Sequence, residues 1–335
     1  MKKYAACTVL STVGLCLGLL IGGCADFELL EEQVRTAAIE QETVELTQEE
    51  VVSSADAEDA AQQSTQIYRF AYENLDTAEK LWYDDIFDCL DKLGEDVSLN
   101  KEGIDNGLDE TCIDRIFQCV LMDHPELFFV EGYTYTKYNR GEKIVGIRFS
   151  GTYGLEEEQV KIRREEIQKA AEEILRAAPA DGTDYDKIKY VYETIIRNTE
   201  YDLNSPDNQN IYSVFVNHRS VCQGYAKSVQ YLLQQMGVEC ALVQGTVDTG
   251  EGHAWNLVKA DGDYYYVDAT WGDASYQAED ELSEGYVPEI SYDYLCVTTD
   301  QLLRTHMIDS YVPLPVCVAT KDNYYVREGA LFDSY

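Results

Sequence analysis

The pattern of apolar and polar positions predicts two folded regions, the first of them mainly helical. Within residues 66–178, apolar residues recur every three or four positions in three segments, as in helices that bury one face. The first segment opens with Asp76 and Glu79 at the spacing of a capping box. Two β-like runs, Tyr133–Tyr138 and Lys143–Phe149, lie between the second and third segments. We predict a helical region with one β-hairpin, and it shows no obvious chemistry.

The second region, residues 179–335, mixes helical and strand-like patterns. An amphipathic helix is predicted over 184–197, and a second one has a buried stripe that starts at Ala226 and is ended by Gly237. Four strand-like runs follow: Gly252–Val258, Tyr264–Asp268, Tyr292–Val297 and Tyr324–Val326. This region is therefore predicted to contain both helices and strands.

Residues 1–24 have the pattern of an export signal. Two lysines precede an apolar stretch from about Val9 to Ile21, which is too short for a comfortable membrane span. Two glycines then stand before Cys24, and small residues before a cysteine resemble the bacterial lipobox, in which the cysteine carries a lipid. We predict a lipoprotein signal peptide, lipidation at Cys24 and an extracytoplasmic chain anchored to the cell membrane. An uncleaved anchor helix is the alternative, which the glycines disfavour.

Charge and cysteine content narrow the possible partners. Residues 25–65 are rich in Glu and Asp and nearly free of aromatics, which predicts a disordered acidic tether, with a partly helical stalk as the alternative. Over the whole chain, 62 acidic against 26 basic residues give a net charge of −36. Such a surface repels nucleic acid, so no nucleic-acid partner is predicted. The ten cysteines form no CxxC pair, so a zinc site has no support, and we predict neither metal nor cofactor.

Cys222 lies at or just before the start of the second amphipathic helix. The unpaired N–H groups and the dipole of a helix N-terminus favour a thiolate, and the same groups can donate to an oxyanion. A buried cysteine at an ordinary helix start fits this position equally well. Position alone therefore leaves the role of Cys222 open. A general base near the thiol would distinguish a nucleophile from a structural cysteine.

A histidine and an aspartate flank a predicted hairpin turn. With Asp261 and Gly262 as a two-residue turn, Trp255 pairs with Asp268 across the hairpin. Because strand side chains alternate, His253 and Asp268 then share one face as diagonal neighbours, about 7–8 Å apart at the backbone. A one-residue slip would place them on opposite faces. The spacing itself therefore predicts a His–Asp pair.

Three segments together resemble the motifs of the transglutaminase-like superfamily: Val221–Ala226, Gly252–Asn256 and Tyr266–Trp271. Their order and spacing are also similar to that family over roughly Asp181–Asp273. The resemblance implies a papain-like α+β core, in which the helix bearing the cysteine packs on an antiparallel sheet. It also implies Cys222 as the nucleophile, His253 as the base and Asp268 as the acid that orients the imidazole.

We expect a surface-anchored thiol hydrolase or acyltransferase that attacks a peptide or protein amide and forms a thioester. Water as acceptor gives hydrolysis and an amine gives a cross-link, and the sequence does not choose between them. A non-catalytic module that binds a peptide or glycan is the alternative. A third hypothesis is peptidoglycan remodelling, in which the amide lies in a cell-wall stem peptide.

Further residues near the motifs are candidates for substrate contact and for oxyanion binding. The substrate-binding candidates are Gln223, Tyr225, Trp255 and Trp271. The oxyanion candidates, in addition to the helix N-terminus, are Tyr201, Gln209 and Tyr212. Two histidines have no catalytic partner in the pattern. His124 is expected to cap or pack at a helix end, and His306 to pack or to lie at the surface.

Overall fold

The structure is a computed structural model that describes residues 10–15, 68–273 and 290–329. Cys24 and the predicted tether lie outside these residues. Strand β1, Leu10–Leu15, falls within the predicted signal peptide and pairs antiparallel with the strand Val130–Arg140. The export signal itself stays a prediction. Within the described ranges, no helix has the length and apolar character to cross a membrane.

The N-terminal region is helical with one long hairpin, as predicted. Its helices are α1 Phe70–Glu73, α2 Thr77–Asp91, α3 Lys101–Asp105, a 3-10 turn Glu110–Cys112, α4 Ile113–Asp123 and α5 Glu157–Ala177. Its strands are β2 Val97–Ser98, β3 Val130–Arg140 and β4 Lys143–Tyr153. They form an antiparallel sheet in the order β1-β3-β4-β2.

Local side-chain chemistry explains where the helices of this region begin and end. The Asp76 carboxylate accepts from the backbone N–H of Glu79, and the Glu79 carboxylate accepts from that of Asp76, so the predicted capping box is present. His124 is the C-cap of α4, and its ring stacks on Phe87 at 3.9 Å between centroids. The packing role expected for His124 is therefore confirmed.

The second region has an antiparallel sheet with a helix across it. Its helices are α6 Asp184–Asn198, a π-helical turn Ser213–Asn217, α7 Cys222–Gln235, α8 Ala269–Gly272, α9 Thr299–Leu302 and α10 Tyr324–Arg327. Its strands are β5 Glu200–Tyr201, β6 Arg219–Ser220, β7 Cys240–Val247, β8 Gly252–Ala260, β9 Asp263–Val267 and β10 His306–Asp309. The order β10-β7-β8-β9, with α7 packed on β7 and β8, confirms the predicted α+β class.

The predicted hairpin register is confirmed. Ala260 pairs with Asp263 around a turn in which Asp261 and Gly262 have φ of 48° and 99°. Two consecutive positive φ values are typical of a type I′ turn, whose twist matches that of the flanking strands. The pairing continues to the end of β9, and the chain then enters α8 at Asp268. The histidine and the aspartate therefore lie on the same face.

Two predicted strands near the C-terminus are wrong. Residues 292–297 form a turn in which Cys296 has φ of 59°, and only Val297 makes an isolated bridge to β9. The run at 324–326 is part of the one-turn helix α10, because the Asn323 side chain caps that turn by accepting from the backbone N–H of Tyr325. In both places local turn and capping chemistry outweighs the β propensity of tyrosine and valine.

Candidate active site

Cys222 is the first residue of α7 and is 1% exposed. The residue before it, Val221, is extended and provides no side-chain cap for the helix. A valine at this position is unfavourable, since Ser, Thr, Asp or Asn would bond the free N–H groups of the first turn. Those N–H groups therefore have no side-chain acceptor and lie beside the thiol, where they can donate to an anion.

The turn that precedes Cys222 packs closely against α7. A Cβ added to Gly224 would lie 1.9 Å from the Ser220 hydroxyl oxygen and 3.1 Å from the carbonyl oxygens of Asn208 and Asn210. The Ser220 hydroxyl has little freedom to move, because it is bonded to the Asn208 carbonyl at 2.8 Å and to a second buried serine. Glycine is required here so that the backbone can approach and fix the position of the thiol.

His253, the second residue of β8, connects the thiol to Asp268. Its Nε2 is 2.8 Å from Asp268 Oδ2, and the Cys222 thiol lies close enough to the ring to raise its pKa. Because Asp268 occupies Nε2, Nδ1 is the ring nitrogen available to the thiol. Burial disfavours the imidazolium, but the contacts with Asp268 and Cys222 outweigh it and raise the pKa of His253 to about 10. The ring is therefore able to hold a proton beside a thiolate.

Asp268 is fixed by its place at the N-terminus of α8. Its Oδ1 accepts from the backbone N–H groups of Thr270 at 2.9 Å and Trp271 at 3.1 Å. This leaves Oδ2 directed at the imidazole of His253. Burial alone would raise the pKa of Asp268, but the charges and side-chain hydrogen bonds of two neighbouring histidines, His253 and His306, lower it below its usual value. The carboxylate therefore stays ionised and orients the histidine.

A second histidine contacts the same carboxylate, and sequence reasoning missed it. His306 begins β10, is 1% exposed, and places Nε2 3.1 Å from Asp268 Oδ2. A surface position for His306 is therefore wrong, whereas packing is confirmed, because its ring lies against Trp255 and Trp271. The pattern around residue 306 did not predict a strand, and the pairing of β10 with β7 that brings His306 to the site is a long-range contact.

The potential ligand atoms of His253, Asp268 and His306 lie within 4.8 Å of one another, a grouping that could hold a metal ion. The distances from Asp268 Oδ2 to the two Nε2 atoms are 2.8 and 3.1 Å. Ligand atoms around a tetrahedral zinc ion are about 3.3 Å apart, since each lies about 2.0–2.1 Å from the metal. The observed separations fit hydrogen bonds, and Asp268 can accept both. The arrangement fits a proton-holding network better than a metal site.

A cleft of about 730 Å³ lies between the N-terminal region and the second region, and His253 lines it. Apolar side chains of the N-terminal region form one wall: Leu121, Met122, Leu127, Phe128, Phe129 and Val130. Polar side chains from both regions provide amide groups: Gln118, Gln209, Asn210, Gln223 and Gln244. The two walls are held together where the Gln230 amide donates to the Met122 carbonyl at 2.7 Å. An apolar wall with amide groups is suited to an extended peptide.

Of the four predicted substrate-binding residues, only Gln223 lines the cleft. Tyr225 is fully buried, and its hydroxyl donates to Asp273 at 2.8 Å, so its position is a structural one. Trp255 is also fully buried and packs on the His253 ring at 5.9 Å. Trp271 is partly exposed and packs 6.2 Å from the same ring, where it covers the network.

Among the oxyanion candidates, Gln209 is placed to meet a substrate. It lines the cleft, and its Oε1 is buried without a hydrogen-bond partner in the described part of the chain. Tyr212 points elsewhere, since its hydroxyl bonds Glu166 at 2.8 Å. Tyr201 packs its ring against that of Tyr225, 6.3 Å away, and does not line the cleft.

A sequence profile described as the transglutaminase-like superfamily matches residues 168–269, the segment that contains Cys222, His253 and Asp268. This chain carries a transglutaminase-like core. The kyphoscoliosis peptidases of Homo sapiens and Mus musculus are each 26% identical to it over 106 residues. The match covers 27% of this chain and 16% of those proteins.

Two solved structures are similar to this chain in part. A structure described as a TGase shares 16% identity with a TM-score of 0.31 and covers 47% of this chain and 48% of its own. A putative cysteine protease from Cytophaga hutchinsonii shares 16% identity with a TM-score of 0.29 and covers 41% of this chain and 52% of its own. Similarities of 16% identity with TM-scores near 0.3 do not indicate an activity.

Proposed function

We propose that this protein cleaves amide bonds of peptides or proteins through a thioester on Cys222, as a hydrolase or an acyltransferase. The observation that carries the proposal is the buried hydrogen bond between His253 and Asp268, with the Cys222 thiol close enough to act on the same imidazole. A thiolate at a helix N-terminus beside an imidazolium is the activated form of a cysteine nucleophile. The fixed Asp268 carboxylate holds the imidazole of His253 in the orientation that proton transfer requires.

The reaction follows from the positions of these groups. The Cys222 thiolate attacks the carbonyl carbon, and the oxyanion that forms accepts from the free N–H groups of α7, with the Gln209 amide as a further donor. His253 gives its proton to the amine as the C–N bond breaks, which leaves a thioester on Cys222. Water or a second amine then loses a proton to His253 and attacks the thioester, so the thiol is restored and an acid or a new amide is released.

The walls of the cleft indicate the substrate class. The amide side chains can pair with a peptide backbone, and the wall that includes Phe128 and Phe129 can take an apolar side chain. Two exposed carboxylates, Glu131 and Asp309, also line the cleft, and Lys227 is a cation among its lining residues. We propose neutral or basic peptides as substrates, because the chain as a whole is strongly acidic.

We also propose that the reaction takes place outside the cytoplasm, with the chain tethered through a lipid on Cys24. The support is the export pattern of the first 24 residues and the acidic tether that follows. A peptide of the cell wall is then one candidate substrate. Metabolic labelling with a radioactive or clickable fatty acid tests the anchor, and a Cys24→Ala chain that still incorporates the label at its N-terminus would contradict it.

A non-catalytic binding module is the second candidate, and the burial of Cys222 is the observation that favours it. At 1% exposure, the thiol needs a small local opening before a carbonyl can reach it. In this alternative the cleft still binds a peptide or glycan, but nothing reacts. Binding that is unaffected by Cys222→Ser, together with no turnover in wild type, would support the module.

The experiment that tests the proposal compares wild type with Cys222→Ser on a library of peptides, with and without an added primary amine. Mass spectrometry distinguishes cleavage by water from transfer to the amine. We expect new products with wild type alone. Intact peptides with both proteins, although the peptides bind, would contradict an enzymatic function. The matched control is Cys112→Ser, since Cys112 is only partly buried and lies outside the cleft lining.

A further inference from the structure

His306 is a buried titratable group beside the proposed triad that the reaction above leaves without a role. Its Nε2 is 3.1 Å from Asp268 Oδ2, and the Nε2 of His253 is 2.8 Å from the same oxygen. Both imidazoles are almost fully buried, so water does not mediate the competition between them. Two histidines therefore share a single carboxylate oxygen.

Both ring nitrogens of His306 have hydrogen-bond partners. An ionised carboxylate only accepts hydrogen bonds, so Nε2 of His306 carries a hydrogen and donates it to Asp268. Its Nδ1 is 2.8 Å from the Thr305 hydroxyl, which is 2.6 Å from the Tyr294 hydroxyl. These contacts fix the ring with Nε2 directed at the carboxylate.

Few charged groups surround this imidazole. Asp268 approaches it from the start of α8, His253 from β8 with 5.5 Å between ring centroids, and Tyr294 from the segment before α9 at 5.2 Å. Two neutral indole rings also pack against it, at 4.9 and 4.7 Å: Trp255 and Trp271. The effect of His306 is therefore exerted mainly through Asp268.

We infer that His306 is a positioning residue: it fixes the Asp268 carboxylate and, by donating to the same oxygen as His253, limits how strongly Asp268 holds the His253 proton. This role rests on the proposed function. Oδ1 already accepts from two backbone N–H groups, so a donor on Oδ2 completes the fixation of the carboxylate. An oxygen that accepts from two donors binds each of them less tightly than it would bind one.

A weaker hold on this proton serves the proposed reaction. His253 has to release its proton to the leaving amine, and an imidazolium held too strongly by a buried carboxylate is a poor acid. Asp268 and Cys222 together raise the pKa of His253 to about 10, which is above the range in which proton transfer at neutral pH is most efficient. Without the competing donor on Oδ2, Asp268 would hold the His253 proton still more tightly and move the imidazole further from that range.

The test is an NMR titration of the four histidines in the full chain, with 15N-labelled histidine and His253→Gln for assignment. His306→Phe keeps the ring volume and removes the donor, whereas His306→Gln keeps an N–H donor. We expect the titration midpoint of His253 to rise by about 0.5 unit or more in His306→Phe and to stay within about 0.2 unit of wild type in His306→Gln.

Two results would overturn the inference: an unchanged His253 midpoint in a folded His306→Phe, or an equal rise in His306→Phe and His306→Gln. His306→Leu, smaller and also without a donor, replaces His306→Phe if that variant does not fold. Iodoacetamide labelling of Cys222 is measured on the same samples. Slow labelling of Cys222 in wild type would refute the proposed function. The titration midpoints of His253 test the role of His306 whether that labelling is fast or slow.

Discussion

Replacing Asp268 by Asn tests the electrostatic core of the proposed site. Asparagine has the same shape and still caps α8 through its carbonyl oxygen, so the bonds from the N–H groups of Thr270 and Trp271 are retained. The negative charge beside His253 is lost. The rise in the pKa of His253 from 6.5 to about 10 corresponds to about 5 kcal/mol at 1.36 kcal/mol per unit. Most of that stabilisation of the imidazolium disappears with the charge.

The loss should appear in the reactivity of Cys222. When the imidazolium is destabilised to this extent, the thiolate–imidazolium pair gives way to the neutral thiol and imidazole. We expect iodoacetamide to alkylate Cys222 at pH 6 about 10²- to 10³-fold more slowly in Asp268→Asn than in wild type. The assay is peptide mapping by mass spectrometry, and circular dichroism checks the fold. A decrease of less than about threefold in a folded variant would refute the reasoning.

Three further predictions concern stability. Because the pKa of His253 is raised in the folded state, its imidazolium stabilises the fold fully below pH 6.5, and this stabilisation is lost as the pH rises to about 10. The difference in unfolding free energy between wild type and His253→Gln, measured by urea titration, should therefore narrow between pH 6.5 and 10. Tyr225→Phe should cost about 1–3 kcal/mol, because it removes the hydroxyl that donates to Asp273, and should leave Cys222 labelling within about threefold of wild type. Gly224→Ala should cost about 1–3 kcal/mol and slow Cys222 labelling, because its Cβ meets the fixed hydroxyl of Ser220.

Each of these outcomes has a contradicting result. If the difference in unfolding free energy between wild type and His253→Gln stays constant from pH 6 to 10, the imidazole is not held as a cation. A steep fall in Cys222 labelling in Tyr225→Phe would mean that the Tyr225 hydroxyl contributes to the reactivity of the thiol. A Gly224→Ala protein as stable as wild type would mean that the turn before Cys222 has room to relax.

The part of the site that the sequence predicted is the part set by local geometry. The Asp-Gly turn fixes the register of β8 and β9, and alternation along the strands then places His253 and Asp268 on one face. The helix that begins at Cys222 follows from its apolar spacing. Each of these features depends on residues within about one hairpin or one helix, so the pattern of apolar and polar residues can predict it.

The features that the sequence did not predict depend on long-range contacts. His306 reaches Asp268 only because β10 pairs with β7, a strand about 60 residues earlier in the chain. The cleft is formed between two regions, and no motif marks its walls. Tyr225 was expected to meet substrate because it lies within the motif, but its side chain points into the core, where Asp273 accepts from its hydroxyl. Proximity in sequence to a nucleophile does not determine which way a helical side chain points.

The rate of alkylation of Cys222 relative to Cys112 in wild type tests the central claim most directly. Cys112 is partly exposed and lies outside the cleft lining, so it provides an internal reference. Burial raises the pKa of Cys119 to about 12 and that of Cys317 to about 11, which keeps both unreactive. With limiting iodoacetamide between pH 5 and 7, the account predicts that Cys222 reacts at least about 100-fold faster than Cys112, despite its burial. A Cys222 that reacts no faster than Cys112 over this range would contradict the claim that it is an activated nucleophile.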